Sequence, residues 1–568
     1  MKKLFWQIVI VVIALAAIAF LLLRQQPSLQ PVSPEVEPSS GGIYSEALIG
    51  TFNRFNPVLD YTNQVDQDVD RLIFSTLLYF DDKGLAVNDL IESMGISQDG
   101  QNYNISIRPN AVWHDGEPLT SDDVVFTIDL MRSEGLPIPE DIRSLWEEIE
   151  VEALDEHTLQ FRLPEPYAPF LDYLNFGILP EHLLGNLSPE EIINADFNLQ
   201  PVGSGPFRFD HFLVDEDQNT GVQLSAFENY YRDPAFLEQF IFKYYPDSES
   251  AIEAYQAGEV LGISQVTNDI LQQALAEPNL NLHSGQVPLL SMVFLNLDDP
   301  QAPFFQDVEI RRALLMGIDR QRIITQLNQG QATLAHGPIF PGSWAYYDGV
   351  EKIDYDPAGA INILRAADYT IPASGSQVRT NGEGQSLSFD LVHPQGEKYE
   401  QLAAAIASDW DALGVQANLV AVPADELLND YLGPRNYQAA LVDINLTRSP
   451  DPDPYPFWDQ AQITTGQNYS QWNDRQASEY LEQARIELDR AERIRLYNNF
   501  QVRFATDLPA LPLFYPIYNY GIDQQINGVT IGSLFQASDR FANVTDWFLL
   551  AERSLEPTPA EAEATQNP

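Results

Sequence analysis

The chain contains no cysteine. That absence excludes disulfides, thiolate metal sites, a cysteine nucleophile and the lipid-bearing cysteine of a bacterial lipoprotein. Basic residues are scarce as well. Thirty-one Lys and Arg stand against 82 Asp and Glu, a formal net charge of −51 over 568 residues. Nucleic-acid binding needs clustered Lys and Arg, so it is excluded as a function. The seven histidines, at 114, 157, 182, 211, 283, 336 and 393, never fall in His-x-x-x-His or His-Glu-x-x-His spacing. There is therefore no sequence-local zinc motif. The Gly-x-Ser-x-Gly elbow and a phosphate-loop Lys are also missing. With 82 acidic side chains, close carboxylate pairs arise by chance and identify no catalytic site.

Apolar residues, by contrast, are plentiful at 44%, with 11% aromatic, enough for a large core and a ring-lined cleft. Met1-Lys2-Lys3 precedes a run from Leu4 to Leu23 that is apolar apart from Gln7. About 20 such residues cross a bilayer as a helix. Residues 1–24 thus read as a transmembrane anchor or a signal. The anchor is favoured, because Phe20-Leu21-Leu22-Leu23-Arg24 follows the small residues a cleavage site would use. With Lys2 and Lys3 inside, the rest of the chain faces outward. Residues 25–42, with prolines at 27, 31, 34 and 38, form a semi-extended tether. Residues 551–568 read as a disordered tail. The excess negative charge suits solubility outside the cell and enriches cations near any cleft.

Between these ends, strand and helix patterns alternate. Tyr103–Arg108 alternates with period two, and Thr120 with Asp123 announces a helix start. Leu402, Ile406, Trp410 and Leu413 recur at helical spacing up to Gly414, where a strand from Val415 to Val422 begins. Ile310, Leu314 and Ile318 form a further helical stripe, so the body is α/β. His114, in Trp113-His114-Asp115-Gly116-Glu117-Pro118, lies in turn chemistry and reads as a corner residue rather than a base. Pro201-Val202-Gly203-Ser204-Gly205-Pro206 reads as a tight turn entering a strand. Asp451-Pro452-Asp453-Pro454-Tyr455-Pro456-Phe457-Trp458 forbids helix and removes backbone donors. It is a stiff loop presenting carboxylates and rings, either to a ligand or merely between elements.

In order along the chain, these landmarks resemble the solute-binding proteins of oligopeptide, dipeptide and nickel ABC importers. They run from Arg71–Leu78 through Trp113–Phe126, Pro201–Phe207, Ala257–Val260, Phe304–Arg320, Tyr355–Ala358 and the Asp-Pro loop to Asp507–Leu513. The resemblance implies a two-lobed periplasmic-binding-protein-like fold with an extra inserted domain, closing by a hinge over an interlobe cleft. Residues 43–72, 181–285 and 519–550 would build the sheet domain of lobe 1. Residues 73–180 would be the inserted domain, and residues 286–518 lobe 2.

What the resemblance implies for function is capture of a peptide or peptide-like solute, delivery to ABC permease and ATPase subunits, a monomeric extracytoplasmic protein, no cofactor and no enzymatic activity. Peptide-binding members hold the ligand's α-amino group with an Asp three residues before an Asp-Pro or Glu-Pro pair. Here that count falls on Arg448 or Pro450. Asp451 or Asp443 is the expected substitute, and Arg448 would meet a ligand carboxylate. Asp451, Asp453, Tyr455 and Trp458 form the expected cleft floor, with Trp344 as a second wall. Two other classes stay open: an anchored extracellular hydrolase using carboxylates, and a ligand-binding chemosensory module.

Overall fold

The structure is a computed structural model describing residue 38 and residues 40–81, 83–373, 375–446 and 450–549. The run Leu4–Leu23, nearly all of the tether, Arg448 and the tail 551–568 lie outside the described residues. Among the described residues, no helix is long and apolar enough to cross a membrane.

The strand Ile43–Ile49 buries Tyr44, Ala47 and Leu48 completely. Burial of this kind suits a parallel position inside a sheet, and the strand runs parallel to Gln239–Tyr245 and to Gly262–Ile263. Gln218–Ala226 and Phe207–Asp215 extend that sheet in antiparallel fashion. In the other half, Ser388–Pro394 lies parallel to both Gln416–Val422 and Ala439–Asn445. Helix Glu397–Leu413 joins the first two of these strands, burying Leu402, Ile406, Trp410 and Leu413 as the spacing predicts. It stops at Gly414, whose φ of 81° is the left-handed end that glycine supplies freely. The predicted strand begins one residue late, at Gln416.

The strand Ala510–Asp523 joins the two halves. Its 14 residues reach about 45 Å at ~3.3 Å per residue. Its first part pairs with Leu289–Leu295 and its second with Leu280–Gln286, giving a connected sheet of 12 strands. The chain passes between the halves at Val287-Pro288 and again near Pro516 in the adjacent strand. Each crossing carries a proline, which lacks the backbone donor of an ordinary ladder residue. This is a mixed α/β, two-lobed fold with a double-stranded connection.

A separate antiparallel sheet of four strands, in the order Ile91–Ile96, Asn102–Ile107, Thr158–Arg162, Glu150–Asp155, falls in the sequence between the first strand and the other strands of its lobe. Its core gathers Tyr103, Trp146, Phe161 and Phe170 in edge-to-face and tilted contacts. Helix Ser121–Met131 starts where predicted, with the Asp123 carboxylate accepting the Thr120 N–H at 2.8 Å.

One buried ion cluster has no sequence signal. Arg540 is 0% exposed and donates to Glu46 and Asp68, each at 2.7 Å. The Tyr44 and Tyr520 hydroxyls complete the Glu46 shell at 3.0 and 2.7 Å. The cluster ties the first strand, helix Gln64–Ile73, the long strand and a C-terminal turn together.

Candidate ligand-binding site

Proline at alternate positions keeps the Asp-Pro segment out of helix until the short turn Tyr455–Trp458. Its carboxylates do not stand free. Asp451 is 5% exposed, paired with Arg493 at 2.5 Å, and accepts from the Tyr497 hydroxyl at 3.2 Å. Asp453 is paired with Arg485 at 3.1 Å. The Arg485 guanidinium stacks over Tyr455, 4.3 Å from its centroid. Helices Arg475–Ile486 and Arg490–Asp507 carry the two arginines, so the loop is clamped to them by buried charge-assisted bonds.

The other expected residues are placed as follows. Trp458 is 2% exposed and packs on Phe294 and Phe504; it supports the loop from behind. Trp344 is half-buried, with the Arg493 guanidinium 5.1 Å from its ring. Asp443, on the strand Ala439–Asn445, is held by Lys398 at 2.7 Å, the Tyr399 hydroxyl at 2.9 Å and the Ser291 hydroxyl at 2.5 Å. Thus Asp443, Asp451 and Asp453 all have cationic partners within the protein. A void of about 10 Å³ beside Pro452, Pro454 and Trp458 is no larger than one water.

The larger cavity, about 250 Å³, lies between helix Gln64–Ile73 and the inserted domain. Asp70, Arg71 and Phe74 line one side, and Trp146, Asp172 and Phe176 line the other. None of the expected site residues lines it. Asp172 makes the link: it also accepts the Asp451 backbone N–H at 2.5 Å. Nearby, the Arg485 guanidinium lies 5.1 Å from the Tyr167 ring. Asp172 therefore touches both the cavity and the Asp-Pro loop of the second lobe.

Asp70 is 3% exposed; the Asn56 backbone N–H favours its charged form, but neither carboxylate oxygen has a well-formed hydrogen bond. Burial holds its carboxyl well above the ordinary range, and the charges of Asp60 and Asp66 add to this. Burial also pushes Asp66 up to about 6, although the Asn53 and Arg54 N–H groups donate to it. The sequence did carry a signal here. Asp66, Asp68 and Asp70 sit in one short helix, and a like-charge pair at i and i+4 is unfavourable without a compensating partner.

The histidine and glycine motifs meet each other. His114 Nδ1 accepts the Gly203 N–H at 3.2 Å, and Nε2 donates to the Gly205 carbonyl at 3.1 Å. Burial pushes His114 down to about 4, in keeping with a neutral ring that needs Nδ1 as an acceptor. A Cβ on Gly203 or Gly205 would collide with the carbonyls of Ile73 and Leu72. Both motifs therefore lie in turns, as the sequence predicts, and the structure sets the glycine turn against the end of helix Gln64–Ile73. Among the described residues no cluster of three or more His, Asp or Glu could hold a metal ion.

The two lobes, their double-stranded connection and the inserted sheet define a class: the two-lobed solute-binding proteins. The chain belongs to the bacterial extracellular solute-binding proteins, family 5, whose model matches residues 86–495. It is similar to the oligopeptide-binding protein AppA of Bacillus subtilis, 26% identical over 90% of this chain and 92% of that protein. The solved structure of AppA in complex with a nonapeptide covers 91% of this chain and 100% of its own, with a TM-score of 0.67 and 25% identity. The dipeptide-binding protein of Escherichia coli is 25% identical over 80% of this chain and 85% of its own. The family binds solutes and is not defined by catalysis, and its members are extracytoplasmic.

Proposed function

We propose that the chain captures a peptide or peptide-like solute between its lobes and delivers it to the permease and ATPase subunits of an ABC importer. The observation that carries this reading is the hydrogen bond from the Asp451 N–H to Asp172, which joins the second lobe to the rim of a cavity with ionic and aromatic walls. Likeness to proteins named for oligopeptide and dipeptide binding supports it. In this reading residues 73–180 form the inserted domain, and residues 286–518 close against residues 43–72, 181–285 and 519–550 by bending at the two proline-bearing crossings. The closed state gains contacts from both lobes, and that differential binding drives closure. The run Leu4–Leu23 anchors the monomer, and residues 25–42 hold it off the outer membrane face.

Isothermal titration of the full-length protein with di- to nonapeptides tests the ligand class. Saturable heat with short peptides is expected, together with slower proteolysis of the body. No heat with any peptide length would overturn the reading. Recovery of protein with a new N-terminus after Leu23 would overturn the anchor.

A further inference from the structure

Among the described residues of the cavity wall, Asp70 is the one carboxyl group that is buried without a well-formed hydrogen bond, the Asn56 N–H being its one favourable backbone donor. It sits in the last turn of helix Gln64–Ile73, where the helix dipole already disfavours an anion. Arg71, its neighbour in the helix, is the only basic side chain among the described residues that line the cavity. A carboxylate in such a place is unfavourable until a cation arrives, and burial raises its proton affinity accordingly. The rest of the wall mixes the carboxylates Asp60, Asp141 and Asp172 with rings. Phe74, Met131, Trp146 and Phe176 give an apolar and aromatic lining, which suits a methylene stem and favours a cationic head beside a ring. The volume, about 250 Å³, is below the ~300 Å³ at which sites for whole small molecules begin. It takes one arm of a ligand.

We infer that this cavity seats a cationic arm of the solute, an ammonium or guanidinium on a short apolar stem, with Asp70 as its counter-ion. The inference rests on the proposed peptide function and narrows it to solutes with a basic side chain. Asp141, on the inserted-domain side of the wall, adds negative potential.

The test compares three tripeptides on the full-length protein by isothermal titration: Ala-Lys-Ala, Ala-norleucine-Ala and Ala-Glu-Ala. Agmatine is used as a non-peptide guanidinium probe in thermal unfolding. Wild-type protein is expected to prefer the lysine peptide at least tenfold over norleucine, with the glutamate peptide weakest. Asp70→Asn is expected to bring lysine and norleucine within about threefold and, by removing a lone buried charge, to raise the melting temperature. Equal affinity for lysine and norleucine in the wild type would overturn the inference and leave the peptide function standing; this comparison needs no variant to fold. A preference that survives in Asp70→Asn would overturn the assignment to Asp70. If no peptide binds but agmatine stabilises the wild type and not Asp70→Asn, the cation seat stands and the peptide reading falls. Failure of every probe overturns both.

Discussion

Arg540 is a fully buried cation between two buried carboxylates, and its worth is set by what its removal would leave behind. A buried ion pair need not be more stable than an apolar substitute, but breaking one by removing a single partner strands a charge. Burial raises the pKa of Glu46 even with Arg540 beside it. Arg540→Met is therefore expected to destabilise the protein by about 3–5 kcal/mol, read as a lower urea midpoint. An unchanged midpoint would mean the cluster is not closed as described. His114 offers a pH-dependent counterpart. Its folded pKa, about 4, lies below the ordinary value of ~6.5. Its contribution is therefore complete above pH ~6.5 and is lost as pH falls toward 4, because the unfolded chain binds the proton first. The full loss is about 3 kcal/mol. Asp66, raised to about 6, acts in the opposite sense, so absolute slopes mix the two. Unfolding at pH 7, 5.5 and 4.5 should show a gap between wild type and His114→Gln that narrows with acid. A constant gap would exclude His114 as the source.

At the scale of elements, the Asp-Pro loop is held by two arginines on two helices. Arg493→Met should leave Asp451 buried without that partner, at a cost of about 3 kcal/mol. It should also speed amide hydrogen exchange across residues 451–458 more than in the four-stranded sheet. Uniform exchange changes would mean the loop is not separately tethered. Local features were legible from the sequence because their causes are local: Asp123 reaches three residues back to its cap, and Gly414 ends its helix by its own conformational freedom. The ion pairs of Asp451 and Asp453 were not legible, because their partners, Arg493 and Arg485, lie some thirty to forty residues away on helices with no visible link to the loop. Trp458 looked equally available, yet its ring fills the space between Phe294 and Phe504. The His114 turn was legible as a corner, but its partner glycines were not, since that pairing spans 89 residues. Asp70 was visible only as one of three acids in a helix. Its isolation depends on what the inserted domain brings to the opposite wall.

For the whole molecule, the excess of negative charge and the ion pairs predict opposite responses to salt, so the sign of one measurement separates them. With 82 acidic and 31 basic side chains, most carboxylates have no basic partner, and their mutual repulsion favours the expanded chain. Exposed pairs such as Arg475–Glu482 and Arg162–Glu150 are worth about 0–1 kcal/mol each and weaken with salt. Arg540 and Arg493 sit in buried clusters, where screening reaches them little. Raising ionic strength from about 0.01 to 0.15 M shortens the screening length from ~30 to ~8 Å. That removes long-range repulsion before it removes contacts at about 3 Å. The melting temperature is therefore expected to rise over this range at pH 7, by scanning calorimetry, and then level off. A fall would show that surface pairs outweigh the unpaired acids. A rise that persists in Asp70→Asn would assign the effect to the surface charge as a whole rather than to the acidic cavity.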